Sequence, residues 1–435
     1  MRELLAKIKK KNITIGVIGL GYVGLPICLK FLNKNFSVIG IDNNKIKINN
    51  LKKFKSNIST ISNLDLKKAF KKSFLITNNY SYISKCEIII ICVPTPIKTN
   101  KSPDMSDINN VVKNISNYLK QNQAIILEST VYPGATEEYF LPIIVKKKLL
   151  IGKNFFLGFS PEREDPGNKN YSILKGNIPK IISGYTNNCL KIVDQIYSGI
   201  TKTVAVSSIK TAEFTKLLEN VYRSVNIGFV NEMKVVANNM GIDINESIDA
   251  AKTKPFGFKA FYPGPGPGGH CIPVDPYILA WKAKQHKVSA KFIELSGNVN
   301  KSMCSFIIKI LLKALKIKIN ALKGKKILIL GLSYKKNSSD LRDSPAFRLI
   351  NLLKKRKSII TCVDPCLNVL DKKKLTKSDT FKLTKLSKII LKKNDATIIV
   401  TNHDLFNYKM IKKYSNVIID TRNSFATKNK KIFTA

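Results

Sequence analysis

A single thiol, Cys271, follows a loop built almost wholly from proline and glycine, Pro263-Gly264-Pro265-Gly266-Pro267-Gly268-Gly269-His270-Cys271, which continues as Ile272-Pro273-Val274-Asp275-Pro276. Prolines stiffen such a backbone and glycines let it approach a ligand closely. A stiff loop ending in a thiol can hold a nucleophile against a substrate. The competing reading is a buried structural cysteine. Asp275 stands four residues on, directly before Pro276, a pairing suited to a helix N-cap. The same carboxylate could also do chemistry. Upstream, Lys216, Asn220 and Arg223 are spaced by four and three residues, which puts them on one helical face. A lysine beside Cys271 would lower the thiol pKa and stabilise an oxyanion; a solvated polar face is the alternative. Glu162, in Ser160-Pro161-Glu162-Arg163, follows a strand end, where ligands bind in α/β sheets.

A second constellation suits a cofactor. Gly19-Leu20-Gly21-Tyr22-Val23-Gly24 follows the apolar run Ile13 to Ile18 and opens a periodic segment reaching about Leu32. The three glycines have the spacing for a tight turn, a close approach of pyrophosphate and close helix–strand packing. Phosphates would sit at the helix N-terminus, where free N–H groups favour anions. Asp42 ends the next strand, Ser37 to Ile41. An acid there accepts from a ribose 2′-OH and repels a 2′-phosphate, so NAD is expected over NADP.

These residues need a doubly wound scaffold. Strand-like runs recur at Ile88 to Val93, Ala124 to Leu127 and Phe155 to Phe159, with helical segments between them. The periodicity of Leu217, Leu218, Val221, Val225, Phe229, Met233 and Val236 predicts a long helix over Thr211 to Met240, and a second helix is expected from about Ser289 to Lys316. A further α/β half begins at Lys325, with strands at Lys326 to Leu330, Ile359 to Val363, Ala396 to Thr401 and Asn416 to Asp420. It has no Gly-x-Gly-x-x-Gly turn. The fold expected is α/β: two Rossmann-like, doubly wound parallel-sheet domains joined by a long central helical segment.

Composition narrows the function. The 435-residue chain carries a net charge of +45, but 67 of its 74 basic residues are Lys, and they are spread along the sequence. Lys, Asn and Ile share A/T-rich codons, so nucleotide bias accounts for the charge and no nucleic-acid partner is expected. No apolar run reaches the length of a membrane span, and the basic N-terminus lacks an apolar stretch behind it, so a cytoplasmic protein is expected. The eight cysteines form no Cys-x-x-Cys pair and only three histidines occur, so no metal is expected.

Gly19 to Gly24, Val93-Pro94-Thr95-Pro96, Glu128-Ser129-Thr130-Val131, Ser160-Pro161-Glu162, the Lys216/Asn220 pair and Gly268-Gly269-His270-Cys271 occur in an order that resembles the UDP-glucose/GDP-mannose dehydrogenase family. The resemblance runs from about residue 12 to Asn423. Within the family the loop Phe261 to Pro276 is most similar to the UDP-N-acetylglucosamine 6-dehydrogenases of surface polysaccharide (capsule, lipopolysaccharide O-antigen) pathways. UDP-glucose enzymes usually have Ser and Lys where this chain has His270 and Val274; UDP-N-acetylmannosamine enzymes share the His.

The resemblance implies a four-electron oxidation of a sugar C6 hydroxyl to a carboxylate with two NAD, through a thiohemiacetal and thioester on Cys271. It implies oxyanion stabilisation by Lys216, a hold on that oxygen or a water by Asn220, water activation by Asp275, general-base help from Glu162 and water positioning by Thr130. Cofactor contacts are implied for Gly19, Gly21, Tyr22, Val23, Gly24, Asp42, Lys47, Thr95, Thr130 and Arg342. Substrate contacts are implied for Glu162, Arg163, Lys216, Asn220, Arg223, Tyr262, Gly268, Tyr334 and Lys335. Residues 1–205 would form the NAD-binding domain, 206–318 the central helical, dimerising domain with the Cys loop, and 319–435 the UDP-sugar-binding domain, in a homodimer or larger assembly. A neighbouring subunit would lend Lys254 or Lys259 to the substrate. Pro166 stands where the family often has an acid, before Gly167. A two-electron 3-hydroxyacid dehydrogenase also pairs a Rossmann domain with a helical Lys/Asn pair, but has no need of Cys271 or the second α/β half.

Overall fold

The computed structural model describes every residue except 57, 59–60, 165–173 and 426–428, so Pro166 and Gly167 lie outside the described residues. The chain divides into two compact units, Met1–Glu219 with Tyr277–Val288, and Asn220–Pro276 with Ser289–Ala435.

The first unit is built on eight strands: β1 (Thr14–Ile18), β2 (Ser37–Ile41), β3 (Phe74–Thr77), β4 (Ile88–Ile91), β5 (Gln123–Leu127), β6 (Phe155–Phe159), β7 (Lys180–Gly184) and β8 (Thr203–Ala205). They lie in the order β3-β2-β1-β4-β5-β6-β7-β8. The first six follow the doubly wound order 3-2-1-4-5-6, all parallel. β7 turns antiparallel to β6. All four residues of β4, Ile-Ile-Ile-Ile, are buried, as are all five of β5 and β6. Strands covered on both faces read as unbroken apolar runs rather than alternation, which is why they stand out in the sequence. β3, β7 and β8 escaped the sequence reading: Leu75 and Val204 are exposed, and β7 opens on Lys180 and holds Ser183 and Gly184, so none reads as an unbroken apolar run.

The second unit carries β9 (Lys326–Leu330), β10 (Ile359–Val363), β11 (Lys382–Leu383), β12 (Ala396–Ile399), β13 (Ile418–Asp420) and β14 (Ile432–Thr434), in the order β11-β10-β9-β12-β13-β14. This is the same 3-2-1-4-5-6 order, again fully parallel. The expected pair of doubly wound sheets is therefore present. β4 and β12 stop two residues short of the apolar runs that announce them. Cys92–Val93 and Thr401 instead meet Gly19 and Gly331.

The long helix runs Ile209–Asn239 and passes from the first unit into the second. Its apolar periodicity has an outcome the sequence did not reveal. Leu217 is buried, but Leu218, Tyr222, Phe229 and Val236 are exposed, with Phe214 and Met240 extending the row. The other long helix is Lys291–Leu315, stopped by Lys316 in the left-handed region at φ 55°. Among the described residues no helix is long and apolar enough to cross a membrane.

Candidate functional site

In the first unit the glycine turn has the geometry a dinucleotide needs. Gly19 sits at φ +93°, and a Cβ there would lie 2.7 Å from the Cys92 carbonyl oxygen; a Cβ on Gly24 would lie 1.9 Å from that of Gly19. Those two positions must be glycine for the strand–turn–helix to close. A Cβ on Gly21 would meet nothing within 4 Å. That open face is where a pyrophosphate would approach, so its glycine answers to a ligand rather than to packing. Tyr22 and Val23 complete the turn. Asp42, 5 % exposed, accepts from the Leu20 amide at 2.9 Å and the Lys47 ammonium at 2.6 Å through Oδ2, and from the Asn44 amide at 2.9 Å through Oδ1. The turn, the acid and the strand order fit NAD.

Beyond the ends of β4, β5 and β6 lie Thr95, Thr130 and Glu162. The Thr95 hydroxyl donates to the Thr130 carbonyl. Glu162 takes the Arg163 and Glu164 amides on Oε1, at 2.6 and 2.8 Å, and the Lys180 ammonium on Oε2 at 3.0 Å. Arg163 pairs with Glu219 at 2.5 Å and donates to the Pro179 carbonyl at 3.0 Å. Lys216 is 7 % exposed, and among the described residues its ammonium has no hydrogen-bond or ion-pair partner. Its donors are open to a negative charge arriving in the reaction.

In the second unit three expected residues meet. Asn220 donates its amide to Asp275 Oδ2, and its carbonyl accepts from Arg223 Nη2. Asp275 opens the helix Asp275–Gln285 and is 2 % exposed. Its amide donates to the Cys271 carbonyl at 2.8 Å, so one turn ties the carboxylate to the half-buried thiol. Capping and chemistry remain compatible at this residue.

The glycines of the loop are explained by what crowds them. A Cβ on Gly268 would lie 2.5 Å from Tyr334 Cβ, and one on Gly269 would lie 2.8 Å from the Tyr334 ring. Gly269 also donates its amide to the Arg342 carbonyl at 2.9 Å. The Arg342 guanidinium grips Asp340 at 2.6 Å. His270 has its pKa lowered by burial and by the nearby Arg342, which keeps the imidazole neutral beside Cys271. Tyr262 donates to Asp249 at 2.6 Å. A cleft of about 170 Å³ is lined by Asn231, Tyr262, Gly268, Tyr334, Lys335 and Arg422, among others.

Several of these residues were not singled out from sequence. Asn231 accepts from the Gly264 amide at 2.9 Å and donates to Asn300 at 2.8 Å, fastening the proline-glycine loop to the long helix. Arg422 brings a cation to the cleft; burial lowers its pKa to about 10, and Asp420 offsets part of that. Its signal was available, since it is one of only seven arginines in a lysine-rich chain. The pairing of Glu128, known from sequence only as the start of Glu128-Ser129-Thr130-Val131, with Lys180 at 3.0 Å was invisible because 52 positions separate them.

Asp364, Cys366 and His403 form the one mixed group of metal-type donors among the described residues. Their lone pairs are engaged. The Asn337 amide donates to His403 Nδ1 at 2.9 Å, and Asp364 Oδ2 accepts from the Leu332 and Ser333 amides at 2.7 and 2.9 Å. Burial opposes ionisation of Asp364, but His403 and the backbone donors outweigh it and hold its pKa below the usual carboxylate range. We read the group as a structural hub. Asp364 occupies the strand-end position that Asp42 holds in the first sheet.

A 3-2-1-4-5-6 sheet with this glycine turn and acid defines the class, an NAD-binding α/β dehydrogenase. Models of the UDP-glucose/GDP-mannose dehydrogenase family match residues 13–201 as the NAD-binding domain, 210–302 as the central domain and 328–427 as the UDP-binding domain. The chain belongs to that family and is an NAD-dependent nucleotide-sugar 6-dehydrogenase. It is 36 % identical over 83 % of its length to UDP-N-acetyl-D-glucosamine 6-dehydrogenase of Pseudomonas aeruginosa, covering 85 % of that protein. It is 32 % identical to UDP-N-acetyl-D-mannosamine dehydrogenase of Methanocaldococcus jannaschii, over 96 % of this chain and 95 % of that one. The structure of UDP-D-ManNAc dehydrogenase from Pyrococcus horikoshii superposes with a TM-score of 0.85 at 27 % identity, over 97 % of this chain and 98 % of that one.

Proposed function

We propose that the protein oxidises the C6 hydroxyl of UDP-N-acetylglucosamine to the carboxylate, giving UDP-N-acetylglucosaminuronate for a surface polysaccharide. The observation that carries the chemistry is the fastening of Asp275, Asn220 and Arg223 beside the Cys271 turn. NAD supplies the hydride acceptor, once for each two-electron step. In the first step the hydroxyl loses a proton and its carbon loses a hydride, leaving an aldehyde. The Cys271 sulfur adds to that carbonyl carbon, and the oxygen takes a proton to give a thiohemiacetal. Loss of a second hydride and proton leaves a thioester. Water cleaves the C–S bond, releasing the carboxylate and restoring the thiol.

Lys216 offers its ammonium to the negative oxygen. Asn220 holds that oxygen or a water, Asp275 orients and activates the hydrolytic water, and Glu162 takes a proton with Thr130 positioning the water. Gly19, Gly21, Gly24, Tyr22, Val23, Asp42, Lys47, Thr95, Thr130 and Arg342 hold NAD. Tyr262, Gly268, Tyr334 and Lys335, with Arg163 and Arg223, hold the nucleotide sugar, and Arg422 adds a charge for its diphosphate. Residues 1–205, 206–318 and 319–435 divide the work as NAD-binding, dimerising and UDP-sugar-binding parts, with Lys254 or Lys259 crossing to a neighbouring subunit.

The glucosamine reading rests on the His270-Cys271-Ile272-Pro273-Val274-Asp275 loop and on the Pseudomonas relative. Oxidation of UDP-N-acetylmannosamine is the second reading, favoured by the Methanocaldococcus relative and the Pyrococcus structure. Purified protein is assayed for NADH with UDP-N-acetylglucosamine, UDP-N-acetylmannosamine and UDP-glucose, at limiting sugar. Two NADH per sugar and the highest kcat/KM for UDP-N-acetylglucosamine are expected. One NADH per sugar would defeat the four-electron reading; a higher kcat/KM for another sugar would defeat the substrate assignment. Cys271→Ser should keep NAD and UDP-sugar binding and lose steady-state turnover, because a serine hydroxyl is almost un-ionised at neutral pH. Carboxylate formation by Cys271→Ser at the parent rate would remove the thioester.

A further inference from the structure

One buried charged group has no part in the chemistry described. Lys180 opens β7, and its ammonium lies 3.0 Å from Glu128 Oε2 and 3.0 Å from Glu162 Oε2. Its side chain is 7 % exposed, that of Glu128 0 % and that of Glu162 11 %. Glu128 follows β5, and its other oxygen accepts from the Tyr197 hydroxyl. Two carboxylates therefore share one ammonium, and the trio carries a net negative charge when both are ionised. Such a surplus is costly away from water, and a buried ion pair is by itself weak evidence of stabilisation.

The neighbouring groups leave Glu128 as the charge that can vary. Burial pushes its pKa up to about 7; Lys180 pulls it back and Glu162 pushes it further. The Cys92 thiol and the Tyr197 phenol also face the trio, and burial raises the pKa of each well above its ordinary value, so both stay neutral. Burial works against the Lys180 cation, yet the two carboxylates outweigh it and hold its pKa above the ordinary value. Arg163 is committed to Glu219 and the Pro179 carbonyl. Lys30, which lines the same small cavity as Glu162 and Lys180, donates to the Leu174 carbonyl at 2.9 Å.

We propose that Lys180 and Glu128 are positioning residues for Glu162: Lys180 fixes its carboxylate, and Glu128, competing for the same ammonium, sets how readily Glu162 accepts a proton during turnover. The proposal rests on the reading of Glu162 as a general base. With Glu128 ionised, the ammonium is shared between two carboxylates and a second negative charge stands beside Glu162. With Glu128 neutral, Lys180 serves Glu162 alone. Glu128 thereby tunes a base to the pH at which it works.

The test is the pH dependence of kcat, at saturating NAD and saturating amounts of the UDP-sugar that the screen above selects, for the parent, Glu128→Gln, Lys180→Met and Glu162→Gln. Glu128→Gln keeps the shape and the Tyr197 contact but removes the charge. The parent's kcat should rise along a limb near pH 7 as Glu128 ionises; Glu128→Gln should lose that limb, and Lys180→Met should move it up by about one pH unit, because the ammonium no longer favours the Glu128 carboxylate, with the Kd for NAD unchanged in both. A merely structural trio would lower Tm or kcat and leave the limbs in place, which would overturn the proposal. Should Lys180→Met fail to fold, the limb of Glu128→Gln decides alone. Glu162→Gln separates the two levels. Parent-like kcat there overturns the general-base reading itself; loss of kcat there with an unmoved limb in Glu128→Gln overturns only the inference about Lys180 and Glu128.

Discussion

At the scale of single residues, Lys216 stands out as a residue 7 % exposed whose ammonium has no partner among the described residues. On a solvated helix face, lysine to alanine is nearly neutral, within about 0.5 kcal/mol. Loss of a group that stabilises a developing oxyanion costs about 100- to 1,000-fold in rate. Lys216→Ala is therefore expected to fold with parent-like or higher Tm and to lose kcat by about that factor. Steady-state kinetics beside a melting curve checks it, and a kcat within a few-fold of the parent would remove Lys216 from the chemistry. Asn220 was legible as a partner of Lys216 by spacing alone. Its bond to Asp275 was not, because 55 positions separate the two and only the fold closes that gap.

At the scale of elements, the helix carrying Lys216 is locked by an acid one turn earlier. Glu213 is fully buried and takes the place of a capping side chain for the helix Ala135–Lys146, where Gly134, the N-cap, offers none. Its oxygens accept from the Gly134 amide at 2.5 Å, the Thr136 amide at 2.9 Å and the Thr136 hydroxyl at 2.7 Å. Burial pushes its pKa up to about 7, against the pull of those three donors. The folded state thus binds the proton more tightly than the unfolded chain does. Glu213 therefore contributes stability that is fully present below about pH 4.5 and is lost as the pH rises through about 7, on the order of 3 kcal/mol across that window. Glu213→Gln should flatten part of the decline in denaturant midpoint between those pH values. A midpoint–pH curve parallel to the parent's would show that Glu213 does not titrate there.

At the scale of the whole molecule, one chain uses the 3-2-1-4-5-6 order twice. The repetition extends to details. A Cβ on Gly19 would strike the Cys92 carbonyl and one on Gly331 the Thr401 carbonyl, each across the point where the strand order reverses. The acid after the second strand accepts from the turn in both sheets, Asp42 from Leu20 and Asp364 from Leu332. The long helix starts in the first unit and ends in the second, with Leu218, Tyr222, Phe229 and Val236 exposed along it. An exposed apolar row of this length marks an association surface, and we propose that two copies of the chain meet there. Phe229, 53 % exposed, is the residue to change. Light scattering should find a dimer or larger assembly for the parent and a monomer for Phe229→Glu, with its helical signal kept. A monomeric parent, or an unchanged assembly in the variant, would rule this surface out.

The sequence by itself determined what depends on local order. Unbroken apolar runs disclosed β4, β5, β6 and β9, since a strand buried on both faces has no polar residues to interrupt it. Gly19, Gly21, Gly24 and Asp42 were legible because a phosphate-binding turn and a ribose acceptor are set by spacing along one strand–turn–helix unit. Cys271 stood out through the prolines and glycines around it. Tertiary structure decided whatever depends on residues far apart in the chain. It set Gly268 and Gly269 against Tyr334, joined Glu128, Lys180 and Glu162 into one charged trio, and gave the loop its anchor at Asn231. It also decided which face of the long helix is covered. An apolar stripe reads the same whether it meets its own core or stays exposed, because periodicity records the face and not what lies opposite it.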